Sequence, residues 1–249
     1  MKLSVIVPSY REAENLELIL SQLVGVLSST GIEYEICIVD TETAMDNTAD
    51  VCAGFKEVRY YNRTNGNFYG DAVRTGIRNF EGEFALVMDA DGSHSPEYIP
   101  QLLTCSADTC ADIVIGSRYC KGGNSDNGFF LKVMSKIVNS VYSFMFRLKV
   151  KDVSNSFRLY KKDVLKNLEL ECNNFDIVEE ILIKARLNNK AILITEVPIN
   201  FNKRGKGKSK RSFAKFVISY VKSIFKLKKI ERKAKKEFKK NAGRKAESN

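Results

Sequence analysis

The chain has 249 residues, 44% of them hydrophobic and 28% charged, with a net charge of +10; this is enough to bury a substantial core and suits one domain plus an appendage. Six cysteines without C-x-x-C spacing argue against a disulfide framework or zinc site, and no apolar run approaches the ~20 residues that span a bilayer. The charge is uneven: residues 203–249 carry 19 Lys/Arg against 3 Asp/Glu, whereas residues 1–202 carry 21 against 27, so the tail suits an anionic partner, a membrane surface or nucleic acid.

The chain opens on MKLSVIVPSY, a short apolar strand stopped by Pro8, with no signal-peptide h-region or cleavage site. A cytoplasmic protein is expected. A helix over about 14–28 follows, then the strand YEICIVD ending at Asp40, a helix near 46–54, the strand VRYYN and a helix near 71–79. FALVMDAD, a helix near 96–105 and the strand DIVIGSR complete this part. Strands alternating with helices predict an α/β fold, a mostly parallel sheet with helices on both faces. In such sheets ligands bind beyond the carboxyl ends of the strands. Pro8–Glu12, Asp40 and the pair Asp89 and Asp91 all stand at such ends.

Asp89 and Asp91 flank one alanine directly after an apolar run ending at Met88. Two carboxylates repel by about 4 kcal/mol at ~4 Å and an effective dielectric near 20, so a strand end that carries both calls for a cation. Hard oxygen ligands suit Mg²⁺ or Mn²⁺, and Mg²⁺ leaves most of its positions to water and phosphate oxygens. A nucleotide diphosphate is the implied ligand. His94, the single histidine, is expected to build the turn before Pro96 rather than to ligate, because hard cations prefer oxygen.

Residues 129–146 show helical spacing and are expected to form a core helix. VSNSFRLYKKDVL reads as a turn or strand followed by a short helix, FDIVEEILIKARLNN as a helix, and AILITEVPINF as a late strand. From Phe213 the residues Phe216, Val217, Tyr220, Val221, Ile224 and Phe225 recur at helical spacing among lysines, which predicts a basic amphipathic helix able to lie in a membrane interface. A body over 1–210 and a helix with a partly disordered tail over 211–249 are the expected units. The alternative is that the apolar stripe packs on the body.

VIVPSYREAENL, Asp40, GDAVRTGI, DADGSHSPE, GSRYCKGG, SNSFRLYKKDVL and EVPINFNKRGKGKSK occur in this order. Together they resemble the family 2 glycosyltransferases of the Rossmann-like GT-A fold, and more narrowly the polyprenyl- or dolichyl-phosphate sugar transferases of the dolichol-phosphate mannosyltransferase group. The resemblance covers roughly residues 3–210. It implies a nucleotide-contacting loop at Pro8, Tyr10 and Glu12, a base- or ribose-reading Asp40, and metal ligation by Asp89, Asp91 and, more weakly, Ser93. It also implies that Arg118, Arg158, Arg204, Ser209 and Lys210 line the phosphates and the acceptor side, with Lys132 on an acceptor-facing helix. Asp91, Arg118 and Arg204 are the residues expected to carry the chemistry.

The implied reaction moves a mannose- or glucose-type sugar from a GDP- or UDP-linked donor to a polyprenyl phosphate, with Mg²⁺ or Mn²⁺. Negative charge then develops on the leaving diphosphate while the anomeric carbon becomes oxocarbenium-like. A lipid phosphate is already ionised, so a strong base is not required. The cytoplasmic face of a membrane, contacted peripherally, is the implied setting, and nucleic acid is not an expected partner. Two departures stand out. Residues 41–45 replace an acidic, glycine-containing loop, which removes positive-φ freedom there, and Asn155 stands where relatives often have glycine, a residue whose left-handed geometry Asn tolerates. The absence of tryptophan excludes the Gln-x-x-Arg-Trp signature of processive polymer synthases. Transfer to a glycan or glycolipid hydroxyl, a nucleotide-sugar binder without turnover, and an RNA-binding protein are the competing readings.

Overall fold

Alternating apolar residues decide the centre of the molecule. In the computed structural model, which describes residues 1–202 and 220–236, strand β1 (Lys2–Pro8) turns Leu3, Val5 and Val7 to one face and Ile6 to the other. Both faces are buried, as period-2 geometry with helices on each side requires. β2 (Glu33–Asp40), β3 (Val58–Asn62), β4 (Phe84–Val87), β5 (Ile113–Ser117), β7 (Arg158–Lys161) and β8 (Ile194–Pro198) complete a seven-stranded sheet of order β3-β2-β1-β4-β7-β5-β8. A short pair, β6 (Asn124–Ser125) and β9 (Asn200–Phe201), lies apart from it.

One face is covered by α1 (Ala13–Ser29), α2 (Thr48–Ala53) and α4 (Ile99–Thr109), through residues such as Leu16, Leu20, Cys52 and Leu102. The other carries α3 (Tyr69–Asn79), α5 (Phe129–Phe146), α6 (Lys162–Lys166), α7 (Ile177–Asn188) and α8, over 220–236. The expected elements are present, with α4 preceded by a 3-10 turn at Pro96–Tyr98. β7 was not expected where it lies. It runs antiparallel between β4 and β5, so the loop 152–157 that precedes it opens at the same end as the carboxyl ends of the parallel strands.

α5 is not the core helix its spacing suggested. Only Asn139, Tyr142 and Phe146 are buried, while Phe129 and Phe144 are 83% and 86% exposed and Phe130, Leu131, Ile137 and Val141 also face outward. α8 splits its apolar stripe. Leu227 and Ile230 join the core beside Tyr142 and Phe146, while Val221 and Phe225 remain exposed. Lys226 pairs with Asp176 at 2.9 Å and Lys228 donates to the Met145 carbonyl at 2.7 Å, so the helix is seated on the body. The expected boundary at 210 and the residues Phe213, Phe216 and Val217 lie outside the described residues. None of the six cysteines is in a disulfide, and burial raises the thiols of Cys37 and Cys52 to about 12.

Glu179 on α7 is buried without a hydrogen-bond partner for its Oε2, and burial raises its carboxyl to about 8. Between the ordinary carboxylate range and that value the folded protein holds a proton that the unfolded chain has released, so stability falls as pH rises through this window. Glu179→Gln removes this dependence. Relative to wild type, the variant is expected to gain on the order of 1–3 kcal/mol between pH 5.5 and 8.5, read from urea denaturation midpoints at both pH values.

Candidate active site

The strand ends make a polar mouth, and its loops are tied together by one arginine. Arg63 follows β3, is 3% exposed, and donates through Nε to the Asp40 carbonyl at 2.9 Å and through Nη1 to those of Asn67 and Phe68 at 3.0 and 3.1 Å. Its Nη2 serves the carbonyl of Ser9. The ends of β1 and β2 and the entry to α3 thus share one guanidinium, whose planar fork suits several acceptors at once. Burial lowers its pKa from the usual arginine range, against the opposing charge of Asp40.

On this side Pro8 is buried at the end of β1, Tyr10 is 49% exposed, and Glu12 accepts from Asn15 Nδ2 at 2.5 Å. Asp40 is buried and accepts from the Tyr60 hydroxyl at 3.0 Å; desolvation and this bond raise the Tyr60 phenol to about 12. The altered loop after β2 turns without any positive φ from 41 to 47. It is held instead by side chains. Thr41 Oγ1 donates to the Thr43 carbonyl, Glu42 N–H to Asn67 Oδ1, and Asp46 accepts from the N–H groups of Ala13 and Thr48, each at 3.1 Å. Asp46 therefore satisfies open donors at the starts of both α1 and α2. Partial burial raises its carboxyl pKa, but the bonds from Thr48 and Ala13 and the charge of Arg11 outweigh that and lower it.

Asp89 and Asp91 stand beyond β4, both half-buried. Asp89 accepts from the Tyr69 hydroxyl on Oδ1 and the Ser156 hydroxyl on Oδ2, each at 3.0 Å. Asp91 Oδ1 accepts the Ser93 N–H at 3.0 Å and its hydroxyl at 2.5 Å, across Gly92 at φ +78°, where a side chain would be strained. Ser93 is fully buried with its hydroxyl turned to Asp91. His94 is buried too. Its Nδ1 accepts the Asp89 N–H at 3.0 Å, so Nε2 carries the proton and donates to Asn155 Oδ1 at 3.0 Å, with the ring stacked on Phe157. Both nitrogens are engaged within the protein, in keeping with a turn-building role. A cavity of about 590 Å³ opens beside Asp91, lined by Asn15, Leu18, Ile19 and Gln22 of α1 and by Glu97 and Asn202.

At the end of β5, Arg118 pairs bidentately with buried Asp152, Nε at 2.8 Å and Nη2 at 2.7 Å, and Nη2 also reaches Ser154 Oγ at 2.9 Å. Burial disfavours its charge, but Asp152 more than compensates and raises its pKa. Nη1 has no hydrogen-bond partner among the described residues. The guanidinium lies 5.2 Å from the ring centres of Tyr119 and Phe201. Lys132 donates to Asn124 Oδ1 at 3.2 Å near the start of α5. Arg158 belongs elsewhere. It is wholly buried in β7 and donates to the carbonyls of Val178 and Val153 at 2.7 and 2.5 Å, so the expectation that it lines the phosphates is corrected. Arg204, Ser209 and Lys210 lie outside the described residues.

The model of the family described as "Glycosyl transferase family 2" matches residues 4–169. The chain belongs to that family. It is therefore a glycosyltransferase. The chain is 36% identical to a dolichol-phosphate mannosyltransferase of Pyrococcus furiosus over 93% of its own length and 65% of that protein's. It is 34% identical to a polyprenol monophosphomannose synthase of Mycolicibacterium smegmatis, over 84% of its own length and 80% of the relative's. Among solved structures it resembles glucosyl-3-phosphoglycerate synthase of Mycobacterium tuberculosis, crystallised with Mn²⁺, UDP and phosphoglyceric acid, at 15% identity and a TM-score of 0.66, covering 90% of this chain and 76% of that one. That likeness confirms the GT-A type of fold.

Reading chemistry-bearing residues from sequence missed Arg63, Tyr69, Asp46 and Ser156, none of which ends an apolar run. Arg63→Met takes the donor from the carbonyls of Ser9 and Asn67, while those of Asp40 and Phe68 keep backbone N–H donors, and each orphaned buried group costs about 1–3 kcal/mol. Urea denaturation is expected to show a loss of roughly 3 kcal/mol or more, well beyond that of Arg74→Met, whose side chain is partly exposed.

Proposed function

We propose that this glycosyltransferase moves a hexose, of mannose or glucose type, from a nucleotide diphosphate to a polyprenyl phosphate at a site holding Mg²⁺ or Mn²⁺. The observation that carries the proposal is Asp89, a half-buried carboxylate whose partners among the described residues are hydroxyls rather than cations. Hydroxyl donors orient it without neutralising it. With Asp91 two residues on, this is a hard, oxygen-only donor pair; among the described residues no third His, Cys, Asp or Glu joins it, so most of the ion's shell would come from water and diphosphate oxygens. Such an ion would stabilise charge on the departing diphosphate.

The protein's own residues supply the remainder. Pro8, Tyr10, Glu12 and Asp40 border the nucleotide, Arg63 keeps their loops in register, and Ser93 orients Asp91. Arg118 offers Nη1 to the acceptor phosphate, with Lys132 adding a second positive charge. In the transfer, the bond from the anomeric carbon to the diphosphate oxygen breaks and one to an oxygen of the lipid phosphate forms. No proton need be removed from that nucleophile. The names of the relatives support a polyprenyl-phosphate acceptor, and the Mn²⁺ and UDP of the mycobacterial structure support the metal. Asp91→Ala is expected to lower nucleotide diphosphate release by roughly 10²–10³-fold, measured with a panel of GDP- and UDP-sugars, polyprenyl phosphate and Mn²⁺. Release that persists at the wild-type rate would refute the metal role.

The acceptor is a lipid, and the protein is suited to meet it at a membrane surface. Among the described residues no helix is long and apolar enough to cross a bilayer. α5 nevertheless presents Phe129, Phe130, Leu131, Ile137, Val141 and Phe144 outward with no acidic residue in the helix, and α8 beside it exposes Phe225 among lysines. Inserted aromatics and nearby lysines suit an anionic interface. Deleting the tail is a poor test, since α8 buries Leu227 and Ile230 in the core. Replacing Phe129, Phe130 and Phe144 together by Ser is the better one. It is expected to lower partitioning onto phosphatidylserine-containing liposomes tenfold or more, since each Phe contributes about 1.5–3 kcal/mol on burial, read by flotation; undiminished flotation counts against this face.

A further inference from the structure

In the segment Asp152–Phe157 three consecutive side chains leave the chain for three different parts of the site. Ser154 Oγ accepts from Arg118 Nη2 at 2.9 Å and from Asn139 Nδ2 at 3.1 Å, and its N–H donates to Asn139 Oδ1 at 2.8 Å. Asn155 donates to the Gly116 carbonyl at 2.5 Å and accepts from His94 Nε2 at 3.0 Å. Ser156 donates to Asp89 Oδ2 at 3.0 Å. Ser156 and Asn155 are 5% and 2% exposed, His94 is 1% exposed and Asn139 is wholly buried.

We infer that Ser154, Asn155 and Ser156 are positioning residues that set the metal-side aspartate and the acceptor-side arginine in one frame. The two ends are held differently. Asn155 is not at a positive φ, so its value lies in its side chain: one amide spans from β5 to the imidazole that grips the Asp89 N–H. Ser156 fixes the carboxylate of that same aspartate. Asp89 is therefore held by main chain and side chain from a single strand approach, because β7 runs antiparallel and brings 154–156 up between β4 and β5. Ser154 turns the other way. It engages Arg118 and, through Asn139, ties the frame to α5, the helix with the outward apolar face. A glycine at 155 would leave His94 Nε2 without this partner. Supports of this kind around metal ligands typically change metal affinity by 10–100-fold.

The inference rests on the metal and acceptor roles proposed above, and its test separates the two. Mn²⁺ retention by the full chain with GDP or UDP is read from the free-ion EPR signal. Asn155→Ala and Ser156→Ala are each expected to weaken Mn²⁺ binding about tenfold with little change in KM for polyprenyl phosphate. Ser154→Ala is expected to raise that KM several-fold and leave Mn²⁺ binding unchanged. In the metal-free protein, the exchange-protected His94 Nε2–H resonance should be lost in Asn155→Ala and kept in Ser154→Ala. Ser156→Thr, which keeps the hydroxyl, should restore Mn²⁺ binding. Wild type that retains no Mn²⁺ overturns the metal role and this inference with it. Wild type that retains the ion beside unaltered binding in Asn155→Ala and Ser156→Ala overturns the inference alone, as does an equal shift of both readouts in all three variants.

Discussion

The structure turns on a carboxylate at the end of a buried strand that no cation among the described residues neutralises. Asp89 needs donors, because a half-buried anion without hydrogen bonds is costly, yet a lysine or arginine against it would cancel the charge that attracts a divalent ion. The protein uses hydroxyls from Tyr69 and Ser156. Tyr69 is itself fixed by stacking on Phe175 at 4.1 Å between ring centres, and burial with the nearby Asp89 charge raises its phenol well above the usual range. It stays protonated as a donor at any physiological pH. Positive charge is placed two strands away, beyond β7 and at the end of β5, at Arg118, where Asp152 holds the guanidinium by one edge. This separation of sign along the mouth suits the proposed reaction between two phosphorylated partners.

The same separation gives meaning to the outward apolar residues of α5. A helix of this composition would bury its phenylalanines if the body offered a surface, yet the sheet face beneath it is already covered by α3, α6, α7 and α8. Only Asn139, Tyr142 and Phe146 turn inward. Exposed contiguous apolar surface of this kind marks an interaction site. Its lysines, Lys132 and Lys136, and those of α8 leave little room for a cationic partner, and the middle of the helix, at Lys136 and Asn139, adjoins the Arg118 side. A long-chain phosphate held at Arg118 would have its hydrocarbon end directed to the surface that tolerates it.

Much of this was legible in the sequence, for a physical reason. Strands buried on both faces read as apolar runs, and the residues that end them in a parallel sheet share one mouth, so Asp40, Asp89 and Asp91 could be brought together from order alone. Three kinds of information were not available that way. Strand order is fixed by packing, so the insertion of antiparallel β7 was hidden, and with it the meaning of SNS. Arginines do not announce their surroundings: Arg158 shares its charge with Arg118 but is spent on buried carbonyls, while Arg63, in the unremarkable stretch NRTNG, organises three loops. Helical period showed that α5 is amphipathic without showing which side meets protein.

The loop after β2 shows how a departure from the family pattern can be absorbed. Without glycine, residues 41–47 stay at negative φ, and the turn is closed by bonds from Thr41 and Asn67. Asp46 arrives at a place that two helices share, capping the open N–H groups of Ala13 and Thr48. Because α1 begins directly after Tyr10–Glu12, a carboxylate from the second strand's loop now sets the position of the first strand's loop. Thr41 of the altered loop also reaches Asp40 Oδ1, at 3.4 Å, but the main supports of Asp40 lie outside the loop. The Asp40 carbonyl is held by Arg63 and its carboxylate by Tyr60, so the altered loop changes one wall of the mouth while its acidic floor stays in place.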